Sequence, residues 1–102
     1  MNYGSFYSTA AVSTTTVTAS STALAANAAR IGYFIQNLGT NALYVGEGMV
    51  ATTSNYTYVL KAGSGNDDGS GGSSSKTSGI VYNGIITIAG TSPRYTVTEY
   101  AP

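Results

Sequence analysis

The chain contains no cysteine, no histidine and no tryptophan. Without cysteine it can build neither a disulfide framework nor a thiolate metal site. Without histidine it lacks the commonest metal ligand and the commonest general base. No apolar run reaches the roughly 18 residues that a membrane-spanning helix needs. The small residues Ala23-Leu24-Ala25 resemble the end of a signal peptide, but no hydrophobic stretch precedes them, so no cleaved signal is expected.

Charge is nearly as scarce. Four Lys and Arg balance four Asp and Glu, and charged residues make up 8% of the chain, against about 25% in an average soluble protein. A neutral, weakly charged surface gives little protection against association. The composition therefore favours a chain that lives against copies of itself or against partners. It argues against nucleic acid, because phosphate binding needs clustered cations, and Arg30, Lys61, Lys76 and Arg94 are scattered. Nothing marks an anionic membrane surface.

The 102 residues suit one domain with one modest core. Thr, Val, Ile and Tyr dominate, with no periodic array of helix formers, which is strand composition. Thirteen glycines, with Ser and Asn, punctuate it as turns. Ala11 to Ala19, AVSTTTVTA, reads as an edge strand or a strand with one thin buried face. Residues 20–29, SSTALAANAA, are the one helix-compatible stretch, a single turn or a loop leading into the next strand. In Arg30–Asn37, RIGYFIQN, a period of two places Ile31, Tyr33 and Ile35 on one face and Phe34 on the other.

Asn37-Leu38-Gly39-Thr40-Asn41 is turn chemistry, and the following ALYVGEG predicts a hairpin partner with Leu43 and Val45 sharing a face. In the connection 46–55, Met49 and Val50 are the expected plugs. Asn55 to Lys61 predicts a strand with Tyr56, Tyr58 and Leu60 on one side, Thr57 and Val59 on the other. Residues 62–79, AGSGNDDGSGGSSSKTSG, read as a flexible Gly/Ser loop. IVYNGIITIAG and RYTVTEY close the chain as strands, the first with a bulge or bend at Tyr82-Asn83-Gly84, the second with Tyr95, Val97 and Glu99 alternating with Thr96, Thr98 and Tyr100. The expected fold is all-β: a small antiparallel β-sandwich or jelly roll of about six to eight strands. Residues 1–19 form an extended N-terminal arm or edge strand, and residues 20–102 form the domain.

Catalytic chemistry has little to work with, and no enzymatic activity is expected. Serine and threonine are plentiful, but no motif positions a base beside them. Glu47 and Glu99 are carboxylates with no spacing that pairs them. Asn66-Asp67-Asp68-Gly69 is the one acidic cluster, and without a glutamate at the required spacing it does not form an EF-hand loop. It reads as a solvated loop tip, and neither a metal nor any other cofactor is expected. Asn55-Tyr56-Thr57 matches a glycosylation sequon by coincidence.

Nine tyrosines remain. Tyrosine buries a large ring while its hydroxyl keeps a hydrogen bond, which suits interfaces. Tyr33 and Tyr58 fit a core. Tyr3, Phe6, Tyr7, Tyr56, Tyr82 and Tyr100 are the candidate protein-interface residues, and the uncharged arm carrying the first three is a candidate for docking onto a neighbour.

The block Ala28-Ala29-Arg30-Ile31-Gly32-Tyr33-Phe34-Ile35-Gln36-Asn37-Leu38-Gly39-Thr40-Asn41-Ala42-Leu43-Tyr44-Val45-Gly46-Glu47-Gly48 resembles a pattern of small structural proteins of tailed-bacteriophage virions. Those proteins show an Arg, an alternating strand ending in Gln-Asn, a Gly-Thr turn, then Leu-Tyr-Val and Gly. Tyr58-Val59-Leu60-Lys61-Ala62-Gly63, Tyr82-Asn83-Gly84-Ile85-Ile86 and Val97-Thr98-Glu99 extend the likeness to residues 28–100, with the Gly/Ser stretch at 62–79 as a departure. The resemblance implies a capsid decoration, or cement, protein. Its expected partners are the major capsid protein and copies of itself, as a homotrimer on the outer surface of the virion. A tail, fibre or receptor-binding component is the alternative.

Overall fold

The computed structural model describes residues 9–16, 21–76 and 81–101. Among them the chain is all-β, with no helix. The strands are β1 (Thr9–Thr16), β2 (Ser21–Leu24), β3 (Gly32–Asn37), β4 (Leu43–Glu47), β5 (Tyr58–Leu60), β6 (Ser73–Lys76), β7 (Ile86–Ala89) and β8 (Arg94–Ala101). They form two antiparallel sheets of four, a first in the order β1-β8-β3-β6 and a second in the order β2-β7-β4-β5. The pairings are nested: first strand with last, second with second-last, β3 with β6, β4 with β5. The contacts of β3 with β8 and of β4 with β7 complete the sheets.

Period-two alternation decides what each strand buries. In β3, Tyr33 and Ile35 are buried while Phe34 and Gln36 are half-buried. In β8, Tyr95 and Val97 are buried and Thr96 and Thr98 are not. The buried faces of both sheets meet in one cluster: Tyr33, Ile35, Tyr95 and Val97 from the first, Leu43, Val45, Leu60, Ile86 and Ile88 from the second. Full burial of each such aliphatic side chain stabilises the fold by roughly 1.5–3 kcal/mol.

The expected β3–β4 hairpin does not form. β3 pairs with β6 and β8, and β4 lies in the other sheet. The turn chemistry is present but carries the chain from one sheet to the other. The Asn37 carbonyl oxygen of the side chain accepts from the Gly39 amide at 2.9 Å, as in an Asx turn. Its amide donates to the carbonyls of Asn41 at 2.9 Å, Lys61 at 3.1 Å and Leu60 at 3.3 Å. Asn37 is 1% exposed, and this side chain joins the end of β3 to the end of β5.

Other elements also differ from expectation. Ser21–Leu24, within the alanine-rich stretch, is strand β2. The strand expected over 55–61 is confined to Tyr58–Leu60, because Thr52 and Asn55 bridge to each other in a tight turn. Residues 62–79 are not all loop: Ser73–Lys76 is strand β6, paired with Tyr33–Gln36. Serines form it because the ladder to β3 needs only backbone. The loop before it is tied down by Gly63 N to Gly39 O and Asp67 N to Leu38 O, both 2.8 Å. Tyr82-Asn83-Gly84 is irregular backbone ahead of β7 rather than a bulged strand.

That irregular segment has a partner. Arg30 is 3% exposed. Its Nε donates to Glu99 at 2.9 Å, one terminal nitrogen to the carbonyls of Tyr82 at 2.7 Å and Gly84 at 2.9 Å, and the other to Ala25 at 2.7 Å. Asn83 adds bonds from its side-chain amide to the carbonyls of Arg30 at 2.8 Å and Asn27 at 3.1 Å. An Arg30→Leu substitution strands three carbonyls and a carboxylate. It should lower the free energy of unfolding by about 3–5 kcal/mol, the usual result of breaking a buried pair, as read by urea denaturation. A loss below about 1 kcal/mol would show that water replaces the guanidinium at no penalty.

Candidate interaction surface

The outward side of the second sheet is assembled from residues of opposite parity to its core. Tyr44 lies opposite Val59 and Ala89, and Gly46 opposite Thr87. The segment after β4 folds back over this side. Thr87 Oγ1 donates to the Met49 carbonyl at 2.6 Å and accepts from the Ala51 amide at 3.0 Å. Gly46 makes room: a Cβ there would stand 2.8 Å from Thr87 Oγ1 and 2.9 Å from Met49 Cγ. Ala51 is fully buried, so it rather than Val50 is the plug; Val50 is 70% exposed. Thr57 fixes the segment's far end, donating its amide to the Val45 carbonyl at 2.7 Å and accepting from the Glu47 amide at 2.9 Å.

The result is an apolar, uncharged surface. Tyr56 leans on Tyr44, ring centroids 4.9 Å apart and planes tilted by 58°. Val50, Tyr56, Val59 and Ile85 are the exposed large hydrophobic residues among those described. Val50 and Ile85 line a shallow groove with Ser21, Thr22 and Thr87. Apart from Ser21, which lies opposite the core residue Ile88, these positions lie on the second sheet's outward side.

The residues singled out from sequence are dispersed. Tyr56 belongs to this surface. Tyr82 is half-buried against the core, its hydroxyl standing where Gly48 and Gly84 carry no side chain. Gly48 also has φ of 74°, a conformation costly for other residues. Tyr100 is half-buried on β8, opposite Gly32, with parity that puts it on the first sheet's outward side. Tyr3, Phe6 and Tyr7 lie outside the described residues. Of the arm proposed at 1–19, residues 9–16 pair with this chain's own β8. Val50, Val59 and Ile85 were missed as surface candidates.

The polar clusters are occupied by structure. Glu47 accepts from the Tyr33 phenol, which also meets the Tyr58 hydroxyl at 3.0 Å; Glu99 holds Arg30. Asp67 receives two bonds from Arg94, at 2.7 and 2.6 Å, and Asp68 caps Ser70. Arg94 holds the Asp67 carboxyl below the usual carboxylate range, and the Ser70 hydroxyl and amide do the same for Asp68. No group of three or more metal-ligating His, Cys, Asp or Glu occurs among the described residues.

Burial raises the phenols of Tyr33, Tyr58 and Tyr95, for Tyr33 with help from the Glu47 carboxylate. A folded-state pKa raised above the unfolded value gives stability that is complete below about pH 10 and is lost as pH climbs past it. An ultraviolet tyrosinate titration should therefore split. Tyr33, Tyr58 and Tyr95 ionise only with loss of the β-sheet circular dichroism signal. One reversible step near pH 10 with the dichroism intact would contradict this. No protein-family model, curated protein or solved structure matches the chain.

Proposed function

We propose that this chain is a structural subunit of a tailed-bacteriophage virion, a decoration or cement protein that binds the outside of the head and bridges capsid subunits. The carrying observation is the outward side of the second sheet, where Val50, Tyr56, Val59 and Ile85 stand exposed on a chain with only four cations and four anions. Such a surface gains from being covered by protein and offers nothing to phosphate or to an anionic lipid surface.

The fold reading that goes with it is a jelly-roll sandwich. Nested pairing, first strand with last through to β4 with β5, is what a long two-stranded ribbon has before it is rolled up. Rolling brings β8 against β3 and β7 against β4, the two extra contacts observed. Eight-stranded double sheets of this kind are common in viral shells. The likeness of residues 28–100 to phage virion proteins points the same way.

The mechanism is mechanical. A stable protein contact buries about 1,200–2,000 Å² in total, and repeated copies on a symmetric shell add strength through multivalency. Partners are the major capsid protein and further copies of the chain. Purified protein should co-sediment with expanded phage heads and not with isolated tails. Val50→Lys and Val59→Lys, at exposed positions, should each weaken attachment at least about tenfold, roughly 1.4 kcal/mol, with thermal unfolding unchanged. Binding to tails alone would favour the tail or fibre reading. Undiminished attachment of both variants would remove this surface from the interface.

A further inference from the structure

The four sheet edges are not alike. An open edge offers unpaired N–H and C=O groups that template another strand, and proteins blunt it by shortness, irregularity, charge or proline. β5 is three residues long. β2 has four, with a register irregularity between Thr22 and Leu24. β6 has four and ends in Lys76. β1 carries none of these devices. Its eight residues, TAAVSTTT, keep unbroken register with β8 from Thr9 opposite Ala101 to Thr16 opposite Arg94. They include no charge, no proline and no glycine. Among the described residues no strand pairs with its other side.

We infer that β1 is a self-association edge: two copies pair β1 with β1, antiparallel about a two-fold axis, joining their first sheets into one of eight strands. An eight-residue strand extends about 27 Å, and every second residue turns its N–H and C=O away from β8, giving about eight backbone hydrogen-bonding groups on the free side. A second copy is the occupant for three reasons. The identical strands carry no like charges to oppose each other. Pairing with any other edge of a copy would use at most four residues of β1. A two-fold contact also consumes both edges and closes, whereas head-to-tail pairing leaves one open for fibres. This pairing concerns the free chain and stands whether or not it decorates a shell. The state it gives is a dimer, where the sequence resemblance implies a homotrimer.

Val12, opposite Thr98, lies beside the strand's midpoint, where a two-fold axis brings the copies closest. Light scattering at micromolar concentration should give a dimer for the unaltered chain. Val12→Lys and Val12→Glu should each raise the dissociation constant at least about tenfold, and an equimolar mixture should recover the dimer as a mixed species by native mass spectrometry. Recovery on mixing cannot arise from misfolded variants. A monomer, a trimer, or a dimer indifferent to both substitutions would overturn the pairing. Amide exchange of the unaltered chain gives a second reading: protection across residues 9–16 should rise with protein concentration, and protection independent of concentration would overturn it as well.

Discussion

A guanidinium has five N–H donors, no acceptor and a fixed planar fork. Buried, it tolerates only an arrangement that brings several oxygens to that fork at once. Arg30 imposes this condition on one end of the molecule. The carboxylate comes from Glu99 on β8, and the three carbonyls come from the segments that lead into β3 and β7. Those segments have almost no ladder of their own, so the side chain supplies the geometry that regular structure does not. The Tyr33 ring lies 5.9 Å from its carbon, at the far limit of a cation–π contact. Ion pairs of this kind often add little net stability, because desolvation offsets attraction. What Arg30 contributes is one permitted route for two connections between the sheets. Asn37 performs the neutral counterpart through bonds to residues 39, 41, 60 and 61.

Alternation in the sequence exposes which side chains share a face, and the pairs Tyr33 and Ile35, Leu43 and Val45, and Tyr95 and Val97 were each legible as sharing one. Alternation is silent about which sheet a strand joins. A hairpin and an inter-sheet crossing both put Ile35 and Val45 against the same core, so the Asn37–Asn41 turn chemistry could not separate them. The distinction lies in the Asn37 amide reaching the carbonyls at 60 and 61, more than twenty residues away. β6 is illegible for a different reason. Four consecutive polar positions, Ser73 to Lys76, give no period, and the strand exists because β3 offers a free ladder. β2 was hidden by alanines that suit helix, strand and loop alike.

The candidate surface was legible in part. Tyr56 stood out by type. Val59 could be read as facing away from Leu60, but not as exposed, since that depends on what covers the sheet. Ala51 takes the place expected for Val50 because the missing side chain at Gly46 admits only a small group above it. Packing clearance of that kind is a property of three elements together. It cannot be seen along one strand.

The two sheets face outward with different chemistry. On the first, Gln36, Thr96 and Thr98 share the outward side with the aromatics Phe34 and Tyr100 and all five are half-buried, whereas the exposed large apolar residues lie on the second. The first sheet's long β1 edge, unpaired among the described residues, offers backbone, and the second sheet's outward side offers side chains. Edge pairing extends a sheet within its own plane, so a two-fold pair through β1 would leave Val50, Tyr56 and Val59 uncovered in both copies. Two apolar faces on one rigid pair bind a repeating surface with the advantage of linked sites, provided their spacing matches the repeat. A charge-poor chain is vulnerable to unspecific association. Here the unspecific risk would be reduced by directing one contact through main-chain register and the other through a patch about four large side chains wide.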